Sequence, residues 1–274
     1  VIEIDVGQIL AAVGGALLVG AGLWLWWQQE KKTRDKKKRE AEANGWTYTP
    51  RGGNLHRKYR HLPFYDGKQA SAKHVMRGEF RGRPITMFTF QFREEEYVRS
   101  RLTGRTRDSN NDGRADKREV KRLYGVVVVG LPTTLPKFEI SATARRRKRA
   151  IEERTRLDTV AGDLVGDVVG SAGRMLFGKD YTGSKVETGD QAFDEVFTVR
   201  STEPDQMRAL LTPEARSWML KSDNAKKYVV WCDGEEIITW GTGTDTAIGK
   251  VKANYLNDLL DKLPAGQLWG PPPA

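Results

Sequence analysis

One cysteine and three histidines are all that the chain has of the side chains that staple secreted folds or hold zinc. Cys232 alone cannot close an intramolecular disulfide, which excludes a small disulfide-built secreted fold and fits a reducing compartment. His56, His61 and His74 match no zinc-ligand spacing and read as surface or turn residues. No Gly-x-Ser-x-Gly, His-Glu-x-x-His or Walker pattern occurs, and Gly241-Thr242-Gly243-Thr244 lacks the lysine and glycine spacing of a phosphate loop. Cys232, in the strand-like run YVVWC, has no basic partner in sequence and reads as a buried thiol. Hydrophobic residues make up 38% of the 274 positions, and one early run holds a large share of them, so the remainder is polar for a globular chain.

That run, Ile9 to Trp27, has nineteen residues without a charge. A helix rising about 1.5 Å per residue needs about 20 apolar residues to cross the hydrocarbon of a bilayer, so the length predicts one transmembrane pass. Trp24, Trp26 and Trp27 sit at its end, where indoles favour the headgroup level, and a basic stretch follows at once. A cleavable signal peptide would need a basic segment before the apolar run and small residues after it; here Glu3 and Asp5 precede it and tryptophan and lysine follow. The positive-inside bias then places residues 1–8 outside and the remainder of the chain in the cytoplasm, at the cell membrane.

The formal charge of +10 is localised. Between Glu30 and Arg39, Lys31, Lys32, Arg34, Lys36, Lys37, Lys38 and Arg39 outweigh two acids for a net of +5, and Arg145, Arg146, Arg147, Lys148 and Arg149 add another +5. A nucleic-acid face would spread cations along a groove with stacking or base-reading partners, whereas the first cluster adjoins the membrane; anionic lipid headgroups are the expected partner, and nucleic acid is not.

Residues 28–44 read as a basic juxtamembrane linker and 45–265 as a soluble α+β domain. GWTYTP opens that domain, HVMRGEF and PITMFTFQF form a hairpin around Arg81-Gly82-Arg83, and YGVVVVGL is a strand buried on both faces. A polar loop at 95–120 separates the last two. KFEI and DEVFTVRS read as strands, EPDQMRALLTPEARSWMLKS as one or two helices divided at Pro213, KKYVVWCDGEEIITWG as a hairpin turning at Asp233-Gly234, and NYLNDLLDKL as a final helix. The expected fold class is therefore α+β, an N-terminal transmembrane helix followed by an antiparallel sheet with helices on one face. An insertion at 145–185 carries Leu157, Val160, Leu164 and Val168 at helical spacing behind the arginine cluster, the pattern of a helix lying on a membrane surface, the competing readings being a helix packed on its own domain and a mobile insertion. Residues 266–274 form a Pro-rich tail.

The order of a membrane helix, a basic stretch, GW-x-Y, G-x-x-RGRP-x-x-x-F-x-F, VVVVGLP-x-x-LP, F-x-x-x-F-x-V, P-x-x-x-x-x-LLTP and W-x-DGEEIITW resembles a family of uncharacterised actinobacterial single-pass membrane proteins. The resemblance implies the topology above. That family has no assigned activity, so no site residue follows from it.

Asp108 to Glu119, DSNNDGRADKRE, is the most specific chemical signal. It has the spacing of a twelve-residue calcium loop, with oxygen ligands from Asp108, Asn110, Asp112, the carbonyl of Arg114, Asp116 and a closing Glu119, and Gly113 at the sharp turn. Ala115 replaces the usual branched residue of a paired loop, so a lone, weak Ca2+ site is expected, and the competing reading is a turn-rich polar loop. Together these features predict a membrane-anchored cytoplasmic binding or scaffold protein with an unidentified protein partner. The alternatives are a calcium-stabilised extracytoplasmic envelope protein and an enzyme with a dispersed site.

Overall fold

In the computed structural model the described residues are 6–59, 64, 68–97, 117–143 and 183–264, with side chains for all of these but 6–19, 26, 68, 94–97 and 117. A single helix, α1, runs from Val6 to Glu42 through both the apolar run and the basic stretch. At its end Trp46 N–H donates to Ala41 O at 2.9 Å and Gly45 N–H to Glu42 O at 3.0 Å, with Gly45 at φ +70°. This is a Schellman cap, and only glycine takes that backbone conformation without cost. It turns the chain back so that Ala41 and Trp46, 0% and 5% exposed, enter the same core. Among the described residues no helix is long and apolar enough to cross a membrane; most of Ile9–Trp27 falls among the side chains outside that description.

Among the described residues nine strands follow: β1 Thr47–Arg51, β2 Lys68–Phe80, β3 Arg83–Tyr97, β4 Lys117–Gly130, β5 Phe138–Ala142, β6 Ser184–Val186, β7 Phe197–Ser201, β8 Val229–Cys232 and β9 Glu236–Gly241. They form one sheet in the order β1-β2-β3-β4-β9-β8-β5-β7-β6, every pairing antiparallel. The further helices among the described residues are α2 Gln191–Val196, α3 Pro204–Leu210, α4 Pro213–Lys221, α5 Asp223–Lys227 and α6 Thr246–Lys262, with a short 3-10 helix at Leu55–Lys58. The α+β class and the large antiparallel sheet are as expected.

Period-two alternation sorts the core onto two faces. Met87, Val127, Val129, Val230 and Ile237 pack under α3, α4, α6 and the end of α1, while Phe88, Phe90, Val126, Val128, Trp231, Ile238 and Trp240 face the other way, against Tyr59 and Phe64. The four-valine run is thus buried on both sides, as its lack of alternation predicts.

The sequence reading departs from the structure in four places. The stretch read as a linker is helix as far as Glu42. DEVFTVRS is only half strand: Asp190 caps α2 by accepting from Phe193 N–H, and extended chain begins at Phe197. The final helix starts at Thr246, eight residues before NYLNDLLDKL. Strands β3 and β4 reach into the polar loop, to Tyr97 and from Lys117, because charged residues pair across the ladder there and leave no hydropathy signal.

Candidate functional site

The place where α1 meets the sheet gathers buried ionisable groups. Going from Lys73 to Met76 in β2 spans one residue more than the partner stretch from Thr89 to Met87, and His74 has φ +52°. This is a β-bulge at a non-glycine residue, a strained arrangement that re-aims a side chain. It turns His74 onto the face covered by α1, where its ring stacks on Tyr48 and its Nδ1 shares a hydrogen bond with the Tyr48 hydroxyl at 2.8 Å. His74 is 8% exposed. Burial, with the nearby cations of Lys37, Lys73 and Arg34, pulls its pKa down to about 4, against a weaker pull upward from Glu30.

Lys37 comes in from α1. One helical face, Arg34, Lys37 and Ala41, lies toward the sheet, with Lys37 6% exposed and its Nζ donating to the Thr244 carbonyl at 2.6 Å. Burial lowers its pKa, while Asp245 and Glu40 oppose the shift. Glu40 Oε2 accepts from Thr246 Oγ1, so two residues of α1 hold the loop that begins α6.

The same loop is fixed from the other side by Lys252. On the helix face, Thr89 of β3, Gly125 of β4 and Gly241 of β9 stand opposite one another in register, making a shallow trough. Lys252, 0% exposed, lays its Nζ there on the carbonyls of Gly125, Gly241 and Gly243 at 2.7, 3.1 and 3.2 Å. Gly125 has to be glycine: a Cβ would lie 2.2 Å from the Gly243 carbonyl oxygen. Burial brings the Lys252 pKa down to about 8, and three acceptors for three protons keep it an ammonium near neutrality.

What remains open is a narrow cleft lined by Lys37, His74, Thr89, Gly125 and residues 243–246, with about 10 Å³ of free space. That admits roughly one water, against the several hundred Å³ of a small-molecule site. The arrangement is a polar joint, built to hold a helix in place, with no room for a substrate.

Of the residues singled out in the sequence, Lys31, Lys32, Lys36, Lys38 and Arg39 are exposed along α1 and Arg34 is half-buried; Lys37 points inward. Arg145, Arg146, Arg147, Lys148 and Arg149 lie outside the described residues, as do Asp108, Asn110, Asp112, Arg114 and Asp116. Glu119 is in β4, opposite Glu95, with its carboxylate 3.0 Å from Arg93 Nη1. Among the described residues no group of three or more His, Cys, Asp or Glu could hold a metal.

His56 and His74 correct the reading of surface histidines, since both are buried; His56 packs on Phe90 with ring centroids 5.5 Å apart. The one signal that could have marked His74 is the break in alternation between Ala72 and Met76. Arg81 and Arg83 are more than turn residues, binding Asp258 and Asp261 and tying the hairpin to α6. Cys232 is fully buried in β8, its thiol pushed up to about 12 by burial.

No family model matches this chain, and no curated protein does. Among solved structures it is similar to the crystal structure of the mycobacterial trehalose monomycolate transport factor A, TtfA, with 13% identity and a TM-score of 0.47, over 84% of this chain and 96% of that one. A likeness of that depth carries no argument about activity.

Proposed function

We propose that this chain is a membrane-anchored scaffold or binding protein, in which α1 crosses the bilayer with its first half and carries the α+β domain on its second. The observation behind this reading is the contrast between the two ends of one helix. Ala41 and Lys37 are built into the domain, whereas Leu23, Trp24, Leu25 and Trp27 are 62%, 58%, 58% and 48% exposed. Consecutive large apolar side chains left uncovered call for a nonaqueous surrounding, and the uncharged residues that precede them extend the same surface.

The exposed cations Lys31, Lys32, Lys36, Lys38 and Arg39, with Arg34, favour a cytoplasmic side and bind anionic headgroups, each adding about 1 kcal/mol near such a surface. Because the basic stretch is helix and not a flexible linker, the domain is held at a set height, a geometry suited to presenting a surface to a protein partner in or at the membrane. Resemblance to actinobacterial single-pass membrane proteins fits the same reading. The test is a C-terminal fusion in cells. A reporter active only in the cytoplasm should be active and found in the membrane fraction, and activity of a periplasmic reporter at that site would overturn the orientation.

A further inference from the structure

The direction of α1 relative to the strands decides which end of the domain faces the bilayer. At the far end of α1, Trp46 Nε1 donates to Glu79 O at 2.9 Å and the indole meets Phe80 edge-on. Nine residues back from Trp46 toward the anchor, Lys37 lines the same cleft as His74. Moving up α1 toward Trp27 therefore means moving down β2 in sequence, toward Lys68. Lys68 pairs with Arg93, Arg93 with Lys121, and Tyr97 with Lys117. The end of the β3–β4 hairpin at Tyr97 and Lys117, which leads into residues 98–116, consequently points the same way as the anchor. The opposite end of the domain, with the Arg81–Arg83 turn, Asp258, Asp261 and the Asp233-Gly234 turn, points away.

The lengths match. Lys37, Thr89 and Gly125 line one cleft and so share a level. Ten helical residues from Lys37 to Trp27 rise about 15 Å, and four strand residues from Gly125 to Lys121 rise about 14 Å.

We propose that the end of the β3–β4 hairpin that leads into residues 98–116 is a second membrane contact, in which Arg93 and Lys121 bear on anionic lipid headgroups beside the anchor. This rests on the anchor reading above. By alternation Arg93, Lys121 and Leu123 lie on the face that α1 covers, away from Phe92, and Lys121 and Leu123 are exposed, Leu123 at 43%. The charges of Arg93, Glu119 and Lys121 keep this part of the hairpin out of the hydrocarbon and at the headgroup layer. Two contacts, one through α1 and one through the hairpin, fix the rotation of the domain about the helix as well as its height.

Single cysteines at Trp27→Cys, Arg118→Cys, Lys121→Cys and Glu235→Cys in the full chain carry a fluorophore, Cys232 being buried and unreactive. The chain is reconstituted in phosphatidylcholine–phosphatidylglycerol vesicles containing a lipid with a nitroxide headgroup. Quenching at positions 27, 118 and 121 should exceed that at position 235 several-fold. Quenching at position 27 alone, with 118 and 121 no stronger than 235, overturns the hairpin contact and leaves the anchor standing. No quenching at 27 overturns the anchor and the hairpin contact with it.

Discussion

Acid should weaken the joint between α1 and the sheet through one residue. His74 is held neutral, with a pKa of about 4 against an ordinary 6.5. The folded-state value is depressed, so the unfolded chain binds a proton that the folded one refuses; the stabilisation is complete above pH 6.5 and is lost as pH falls toward 4. A gap of about 2.5 units at 1.36 kcal/mol each sets an upper limit of about 3 kcal/mol, and the residual solvent access of the ring lowers it to about 2. The mechanical sense of the change is repulsion: a protonated imidazole would face Lys37 and Arg34 on α1 and Lys73 on its own strand, with only Glu30 to offset them.

His74→Asn removes the titration while keeping a residue that tolerates positive φ and a polar group toward Tyr48. Urea unfolding of wild type and variant in detergent, followed across that pH range, should give stability differences that change by about 2 kcal/mol in favour of the variant as pH falls. Parallel pH curves for the two proteins would mean that His74 does not carry the loss of stability in acid.

Lys252→Met takes from the carbonyls of Gly125, Gly241 and Gly243 the ammonium that bridges them, and the net loss should be about 2–4 kcal/mol by urea midpoint. Gly125→Ala drives a methyl into the Gly243 carbonyl, at 2.2 Å before any relaxation; displacing this loop should cost at least about 2 kcal/mol and speed amide exchange in the first turn of α6. Arg81→Ala breaks ion pairs to Asp258 and Asp261 whose side chains are 39–44% exposed, and should cost no more than about 1 kcal/mol. Glu119 is engaged by Arg93 on a strand, so calorimetry at millimolar calcium should show the same heat for wild type and Glu119→Gln; a heat lost in the variant would identify Glu119 as the closing ligand.

Much of the sheet could be read from alternation. Phe88, Phe90 and Phe92 against Met87 and Ile85, and the valines of β4, announce both their strands and their faces, and Asp233-Gly234 announces its hairpin. The joint could not be read in this way. The side of α1 that meets the sheet carries Arg34 and Lys37, which in sequence belong to a uniform basic stretch, and no pattern distinguishes the buried lysine from its exposed neighbours. Lys252 is equally silent, because its partners are backbone carbonyls brought together by three separate glycines. His74 becomes significant only through a bulge, a one-residue offset visible in pairing and nearly invisible in composition. The extension of β3 and β4 was hidden for the opposite reason: the residues there are polar enough to read as loop, and only the cross-strand register makes them a hairpin.

As proposed above, α1 holds this domain to a bilayer by crossing it. Extraction of membranes with alkaline carbonate, which strips proteins held by surface charge and leaves those inserted in the hydrocarbon, tests it most directly. The full chain should remain in the pellet; its release into the supernatant would contradict the account.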